Sequence, residues 1–258
     1  MLKRVLVVVA LILLVMACAG NRPKSGWKAE EYYKYARDLY NDEDYLLASQ
    51  ELQIIMLRFP GSSIADSAQF LLAESHFKME EYIVASAEYV KLINNMSKSP
   101  LVPRAQFQLA ESYYHLSPRP GLDQKYTMMA IRAYQSFIED YPTSDLKEKA
   151  ERRILELRDK LAEKAYDNAE IYRKMKRYRA AVIYYDEVLE KYYDSEWRDD
   201  AQYGKALTYY EGEQFDDALK EIEKFKEQFP ESPLMEDIRS LEKDVQSGIA
   251  SHDDSAGE

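Results

Sequence analysis

The chain of 258 residues has little cysteine, glycine or histidine: one, eight and three residues, respectively. A single cysteine cannot form an internal disulfide, so no disulfide framework holds the fold. Scarce glycine beside abundant Ala, Glu, Lys, Leu and Tyr favours helices with few tight turns. The formal net charge of −11 argues against nucleic-acid binding, because phosphate backbones are bound by clustered Lys and Arg.

Catalytic and metal-binding constellations are also missing from the sequence. None of the histidines, His76, His115 and His252, is spaced with cysteine or carboxylates as a metal site requires. No glycine-rich phosphate loop occurs. Adjacent acids such as Asp199 and Asp200 point about 100° apart on a helix and form no acid/base pair. The sequence therefore predicts a protein that is not an enzyme and that has no catalytic residues, metal site or cofactor.

The N-terminus has the pattern of a secretory signal peptide. Lys3 and Arg4 precede the apolar run 5–15, which is too short to span a bilayer core of about 30 Å. Residues 1–17 are therefore predicted to be a signal peptide. An uncleaved membrane anchor is the alternative.

The only cysteine directly follows this segment, in the sequence VMAC. This ending resembles the bacterial lipobox, in which the cysteine is lipidated and becomes the first mature residue. Cys18 is thus predicted to carry acyl chains such as palmitate, followed by a flexible tether over residues 18–27. Ala19, by resemblance to known sorting rules, places the lipid-anchored protein on the periplasmic face of the outer membrane. An ordinary signal peptide with a chance cysteine is the alternative.

The rest of the chain is a helical repeat. AQFLLAESHF and AQFQLAESYY begin 37 residues apart, and related segments begin at residues 31, 164 and 201. Each is followed by a second segment that has an aromatic residue and then alanine three residues on, except in the third copy, where threonine replaces the aromatic residue. A stop such as FPGS or YPTS then ends the copy, because proline interrupts a helix and serine can cap the next one.

This pattern predicts an all-α fold, a tetratricopeptide-like (TPR) helical solenoid of five helix–turn–helix units plus a C-terminal capping helix. Helix A and helix B are the first and second helices of each repeat. Alanines recur twelve residues apart across the A–B turn in four repeats, where small side chains let the helices approach closely. The predicted parts are units 1–3 over 28–145, units 4–5 with the capping helix over 146–247, and a disordered tail over 248–258.

Two insertions interrupt the period. The third repeat contains eight extra residues in the loop 116–126, which bears Pro and Gly. Fourteen extra residues precede the fourth repeat, in a charged and strongly helical run. Because fourteen residues are about four helical turns, helix A of that repeat is predicted to be extended at its N-terminal end.

Projecting the A helices yields ladders of side chains that could line a concave groove. An aromatic ladder would hold an extended peptide with apolar or aromatic side chains. The alternative is that the rings pack between neighbouring A helices. The first ladder is Tyr33, Phe70, Phe107, Tyr166 and Tyr203; the second is Tyr40, Phe77, Tyr114, Arg173 and Tyr210; beside them lie Arg37, Glu74, Glu111 and Glu170.

These parts together resemble the BamD family of outer-membrane assembly lipoproteins. The stretch DQKYTMMAIRAYQSFIEDYPTS at 123–144 is the most family-specific segment. The resemblance implies a non-enzymatic scaffold of the β-barrel assembly machinery that works with other assembly lipoproteins. It implies that the N-terminal units receive the aromatic C-terminal signal of unfolded outer-membrane proteins, through Tyr33, Arg37, Tyr40, Phe70, Glu74, Phe77, Phe107, Glu111 and Tyr114.

The same resemblance implies that the C-terminal units dock the periplasmic domains of a BamA-like barrel protein. By position, the residues in that half are Tyr166, Arg173, Tyr184, Tyr203 and Tyr210. The alternative function is another periplasmic TPR adaptor lipoprotein, acting in cell-wall synthesis or division. Such adaptors usually carry an N-terminal coiled coil, and residues 19–30 contain no heptads.

Overall fold

The computed structural model describes residues 26–256, with side chains through residue 250. The predicted signal peptide, Cys18 and most of the tether lie outside the described residues. Within them there are eleven helices and no strand, which confirms the all-α, TPR-like helical solenoid. The helices are α1 Ala29–Asn41, α2 Tyr45–Arg58, α3 Ala65–Lys78, α4 Tyr82–Asn95, α5 Val102–Leu116, α6 Lys125–Asp140, α7 Lys147–Lys174, α8 Tyr178–Lys191, α9 Arg198–Glu211, α10 Phe215–Gln228 and α11 Met235–Ala256.

The chain forms two compact units, Met1–Tyr113 and Tyr114–Glu258, called the N-terminal and C-terminal units below. The division falls before the predicted boundary at residue 145. In the C-terminal unit, Lys160 Nζ donates to Ser117 Oγ at 2.8 Å and Lys164 Nζ to the Leu122 carbonyl at 2.5 Å. The inserted loop of repeat 3 is therefore held by the helix that opens repeat 4.

Helices A and B meet through buried alanines, as their spacing predicted. Ala73 and Ala85 are fully buried, and so are Ala206 and Ala218. A tyrosine from helix B fills the space beside each close approach in repeats 2 and 4: Tyr89 and Tyr185 are among the largest fully buried side chains. The small residues permit the helix contact, and the large rings add buried apolar area beside it.

The A–B corners of four repeats share a backbone motif that the sequence did not reveal. Two residues beyond the end of each helix A lies a non-glycine residue with positive φ, between 56° and 63°: Glu43, Glu80, Lys176 and Glu213. At the first corner the amide of Asp44 donates to the Leu39 carbonyl, five residues back, and the other three corners repeat this bond. This Schellman arrangement favours glycine, so its occupation by Glu and Lys is unusual.

The extension of helix A in repeat 4 is confirmed. Helix α7 has 28 residues, whereas α3, the equivalent helix of repeat 2, has 14. Ala150 and Leu157 in the added turns are fully buried. The insertion therefore lengthens one helix without interrupting it.

The stop serines do not cap the following helices in the way that the sequence suggested. The N-cap of α3 is Ile64 and that of α7 is Leu146, neither with a capping side chain. Ser99 and Ser232 instead bond the backbone amide two residues on and donate to a carboxylate 33 residues earlier: Ser99 to Asp66 and Ser232 to Asp199, both at 2.6 Å. They tie the end of a repeat to the first turn of its own helix A.

The last helix runs to Ala256, past residue 248, where the tail was predicted to begin. Gly248 lies against the ring of Phe215, and a Cβ there would come within 2.8 Å of it. Ile249 and Phe215 both pack against the buried cluster that contains Ile222 and Val245. These contacts stabilise the helix beyond residue 247.

Candidate peptide-binding surfaces

Three rings of the first ladder interact with the helix A of the next repeat. In the N-terminal unit burial raises the pKa of Tyr33 and the side chain of Ser67 opposes this rise, and the guanidinium of Arg104 lies over the ring of Phe70 at 5.3 Å. In the C-terminal unit the charge of Asp200 acts on Tyr166, whose pKa is raised to about 12, first by burial. All three interactions join residues 34 positions apart, on the A helices of successive repeats.

Two first-ladder residues cannot contact a peptide, which corrects their assignment to the groove. Phe70 is 8% exposed and Phe107 is 3% exposed. Phe70 also packs against the buried ring of Tyr89 at 5.9 Å between centroids. The alternative interpretation, in which these rings are core, holds for both, whereas Tyr33 and the C-terminal rings Tyr166 and Tyr203 are half-buried.

Glu74 and Glu111, two of the glutamates beside these ladders, are buried as well. Glu74 Oε1 accepts hydrogen bonds from Tyr89 Oη at 2.5 Å and from Gln108 Nε2 at 2.6 Å. Glu111 is equally inaccessible. A buried carboxylate must be hydrogen-bonded to be tolerated. Glu74 therefore joins helix A to helix B, and its assignment and that of Glu111 to an open groove are corrected.

The equivalent carboxylate in repeat 4 carries a more polar network. Glu170 accepts from Tyr185 Oη at 2.5 Å and from Arg173 at 2.9 and 3.0 Å. Burial raises the pKa of Glu170, but the hydrogen bonds from Arg173 and Tyr185 outweigh it and lower the pKa to about 2. Arg173 also contacts Glu211 at 2.5 Å. Because two carboxylates hold it inside its own unit, Arg173 is a poor candidate for direct partner docking.

The second ladder lies at the A–B corners. Its rings pack against the first aromatic residue of helix B in the same repeat. The pairs, with centroid distances, are Tyr40–Tyr45 at 5.2 Å, Phe77–Tyr82 at 5.2 Å and Tyr210–Phe215 at 6.1 Å. Their ladder rings are partly exposed and can contact a ligand while they stay anchored.

Tyr114, the second-ladder residue of repeat 3, is held within the C-terminal unit. Its hydroxyl donates to Glu156 at 2.7 Å, and the guanidinium of Arg153 lies 3.9 Å from the ring centroid. A cation over an aromatic face at this distance is attracted by the ring quadrupole. Tyr114 is thus fixed by the extended helix α7.

The accessible part of the N-terminal candidate surface combines rings with cations. Tyr33, Arg37 and Tyr40 follow one another at i, i+4 and i+7 on α1 and share a face. Arg37 and Arg104 are exposed. Burial and the charge of Glu74 raise the pKa of Tyr40 to about 12, and the charge of Arg104 opposes them. We call Tyr33, Arg37, Tyr40, Phe77 and Arg104 the N-terminal surface; Arg104 was not among the predicted residues.

The candidate docking residues of the C-terminal unit are mostly aromatic and partly buried. Tyr166 packs against Trp197 at 5.0 Å, and Tyr184 is stacked on Tyr172 at 5.4 Å with an interplanar angle of 9°. Burial raises the pKa of Tyr203. Rings held in this way have little rotamer freedom to lose on binding.

Two polar contacts recur between helices A and B and could have been found from their spacing. Gln69 Nε2 donates to the Glu88 carboxylate at 2.8 Å, and Gln202 does the same to Glu221. Both pairs are 19 residues apart. Lys205, beside the second pair, is buried and bridges Asp186 at 2.7 Å and Glu221 at 3.3 Å.

No helix in residues 26–256 is long and apolar enough to cross a membrane. In the same residues, no cluster of three or more His, Cys, Asp or Glu side chains could hold a metal ion.

Comparison with protein families yields two matches. The model of the YfiO family, described as an outer membrane lipoprotein, matches residues 26–201. A tetratricopeptide repeat model matches residues 200–232. No curated protein matches the chain.

Several solved TPR structures are similar to the chain. A TPR protein from Parabacteroides merdae is 15% identical, with a TM-score of 0.37 and coverage of 89% of this chain and 76% of that chain. The TPR2AB domain of yeast Sti1, in complex with pHSP90, is 12% identical, with a TM-score of 0.40 and coverage of 84% and 98%. A thermophilic TPR protein from Thermus thermophilus is 16% identical, with a TM-score of 0.37 and coverage of 86% and 100%.

Proposed function

Because this chain belongs to the YfiO family of outer membrane lipoproteins, we propose that it is a lipid-anchored, non-enzymatic scaffold of the β-barrel assembly machinery. It helps to fold and insert β-barrel proteins into the outer membrane. The family match over residues 26–201 is the observation that carries this proposal, and the TPR repeats supply surfaces suited to protein ligands. Anchoring through lipidated Cys18 is part of the proposal.

The N-terminal surface is proposed to bind the aromatic C-terminal signal of unfolded outer-membrane proteins. Half-exposed Tyr40 and Phe77 offer large contact areas with few side-chain torsions to fix. Exposed Arg37 and Arg104 can pair with a terminal carboxylate through two parallel hydrogen bonds. Rings beside cations thus match a peptide that ends in an aromatic residue with a free carboxylate.

The C-terminal unit is proposed to dock the periplasmic domains of a BamA-like barrel protein. Tyr166, Tyr184, Tyr203 and Tyr210 are partly exposed and are anchored by other rings or by burial. Tyrosine is enriched where interfaces hold most of their binding energy. Arg173, which two carboxylates hold, is proposed to keep this surface rigid and not to contact the partner.

Co-purification tests the proposed function. With a C-terminal affinity tag, the protein is extracted from native membranes in mild detergent, and its companions are identified and quantified by mass spectrometry. We expect a large outer-membrane barrel protein with periplasmic domains, in near-equal amount. Recovery of cell-wall or division proteins without a barrel protein would contradict the proposal and favour the other class of periplasmic TPR adaptor.

Reversing both cations of the N-terminal surface should weaken binding of a carboxyl-terminal aromatic peptide. In the double variant Arg37→Glu, Arg104→Glu we expect about a tenfold or larger loss of affinity, since charge-assisted hydrogen bonds contribute about 1.5–3 kcal/mol. Fluorescence anisotropy with a labelled peptide ending in Phe measures the change, and amidating that peptide should cause a similar loss with the unaltered protein.

A matched control for this prediction lies in the same unit. Lys34 and Lys98 are exposed, and no ion pair of either is found among the described residues. Lys34→Glu, Lys98→Glu makes the same change in net charge and should leave affinity nearly unchanged. Equal losses in both double variants would show a general charge effect and contradict a specific carboxylate contact.

A further inference from the structure

The first turn of helix B exposes apolar side chains in repeats 1 and 2, which belong to the N-terminal unit. Leu46 and Leu47 on α2 are 58% and 42% exposed, and Ile83 and Val84 on α4 are 61% and 41% exposed. The two pairs are 37 residues apart, so they occupy the same two positions of successive repeats.

Packing within the repeat does not account for these apolar pairs. The buried face of α2 begins at Ala48 and continues through Leu52 and Ile55. Leu46 is two residues before Ala48 and therefore lies about 160° around the helix from it. In repeat 5 the equivalent positions, 216–217, are both aspartate, so the fold does not require apolar residues there. Neighbouring exposed apolar residues that the fold does not need are typical of a binding surface.

Acidic turns adjoin both apolar pairs. The A–B turns NDED at 41–44 and KMEE at 78–81 contain five exposed acidic residues and one lysine. Asp44 has a structural role as the N-cap of α2. Glu43 and Glu80 have positive φ, and no ion pair of either is found within residues 26–256. The surface around the apolar pairs therefore has a negative potential.

A carboxylate with an unbonded oxygen lies one turn further along α2. Glu51 follows Leu47 by four residues and shares its face of the helix. Its Oε2 is buried and has no hydrogen-bond partner among the described residues. Burial also raises the pKa of Glu51. Because a buried carboxylate oxygen is costly to leave unbonded, a cation on a ligand would find an acceptor here.

The equivalent carboxylate has donors in other repeats. In repeat 2, Glu88 accepts hydrogen bonds from Gln69 at 2.8 Å and from Lys91 at 2.6 Å, and repeat 5 forms both bonds again. In repeat 1 the positions of this glutamine and lysine are taken by Tyr32 and Ile54. Repeat 1 therefore keeps the acceptor but lacks the glutamine and the lysine that bond it elsewhere.

We propose that this surface, made of the two apolar pairs with Glu43, Glu80 and Glu51 and called the corner surface, docks a basic amphipathic helix of a partner protein. Such a helix carries apolar side chains on one face and Lys or Arg beside them, which match the apolar pairs and the surrounding carboxylates. Charge decides between the occupants. A second copy of the chain would bring the same acids against these, and an anionic membrane would repel them.

The corner surface does not depend on the proposed function. None of its residues belongs to the N-terminal surface or to the tyrosines assigned to barrel docking. A direct binding measurement on the purified chain therefore tests it even if the assembly role is wrong.

The test is binding of a labelled synthetic peptide that has Leu at i, i+3, i+4 and i+7 of a helix and Lys elsewhere, followed by fluorescence anisotropy. The variant Leu46→Ser, Ile83→Ser should lose affinity about tenfold or more, because two aliphatic side chains leave the contact. Glu51→Gln should weaken binding about threefold or more, since a neutral amide cannot form a charge-assisted hydrogen bond with lysine. Raising the salt concentration should weaken binding of the unaltered protein, because exposed charges are screened.

Each change has a matched control outside the corner surface. Leu155→Ser, Ile183→Ser alters two exposed aliphatic side chains of the C-terminal unit, and Glu139→Gln removes one exposed acid. Both controls should bind the peptide as the unaltered chain does. A photo-reactive residue at position 46 should crosslink to the peptide, whereas one at position 216, its equivalent in repeat 5, should not.

Several outcomes would overturn the proposal. Equal loss of affinity in the controls, or crosslinking at both positions, would show a general attraction between a basic peptide and an acidic chain. Self-association that Leu46→Ser, Ile83→Ser abolishes, without peptide binding, would identify a second copy as the occupant. Binding to vesicles of phosphatidylglycerol and phosphatidylethanolamine that the same variant abolishes, again without peptide binding, would identify a lipid surface. Helicity of each variant, checked by circular dichroism, ensures that folded proteins are compared.

Discussion

Replacing Cys18 with serine should move the protein from the membrane fraction to the soluble fraction. Cys18 is the only cysteine and stands at the single position that the lipobox pattern requires. Attachment of a diacylglyceryl group needs the nucleophilic thiol, and a serine hydroxyl is a far weaker nucleophile at neutral pH. Each buried CH₂ of an acyl chain contributes about 0.8 kcal/mol, so losing the chains removes essentially all of the anchoring free energy.

Fractionation of cells followed by immunoblotting measures this change. Gly20→Ser, which alters a nearby residue and keeps the thiol, should remain with the membrane. The circular dichroism of the released Cys18→Ser protein should match that of the detergent-extracted protein, because Cys18 precedes the first helix of the repeat. Membrane retention of Cys18→Ser would contradict lipid anchoring and favour an uncleaved apolar anchor.

Replacing Gly204 with alanine should lower the free energy of unfolding of the C-terminal unit by about 1–3 kcal/mol, the usual cost of overpacking a core. Gly204 is buried on α9, and a Cβ there would lie 2.6 Å from two ring carbons of Tyr185. The ring cannot swing aside cheaply. It is fully buried, and its hydroxyl is held by Glu170 at 2.5 Å.

Urea unfolding followed by circular dichroism checks this prediction. The matched control is Gly61→Ala, in a turn where a new Cβ meets nothing within 4 Å and φ is not positive. That variant should be neutral or slightly stabilised, because alanine restricts the unfolded chain. Gly204→Ala with the stability of the unaltered protein would show that Tyr185 and its partner Glu170 can move together, and the rigid packing described above would be wrong.

The periodicity of the chain was sufficient to predict most of the fold. Alanines twelve residues apart identified the close approach of helices A and B, and Ala73 and Ala85 are fully buried. The fourteen extra residues before repeat 4 correctly predicted the extension of α7. These features are local, because a 3.6-residue helical period and the residues that end helices can be identified within one repeat.

The candidate site was predicted less well, because the exposure of a side chain depends on the residues of other helices that pack on it. Phe70 and Tyr40 both belong to ladders of rings on A helices. Phe70 is buried against Arg104 and Tyr89, whereas Tyr40 packs on the first ring of helix B and stays partly exposed. Sequence projection placed each ring on the right helix but did not show which side chain of the next repeat covers it.

The sequence by itself determined the repeat, its two insertions and the position of the single cysteine, because these follow from spacing along the chain. Only the tertiary structure decided that Glu74 is buried and hydrogen-bonded between helices. The same holds for Arg173, which two carboxylates hold, and for Ile171, which is exposed. The physical reason is that a period specifies the face on which a side chain lies. The free energy of that side chain depends on the residues 15 to 43 positions away that cover it or leave it to solvent.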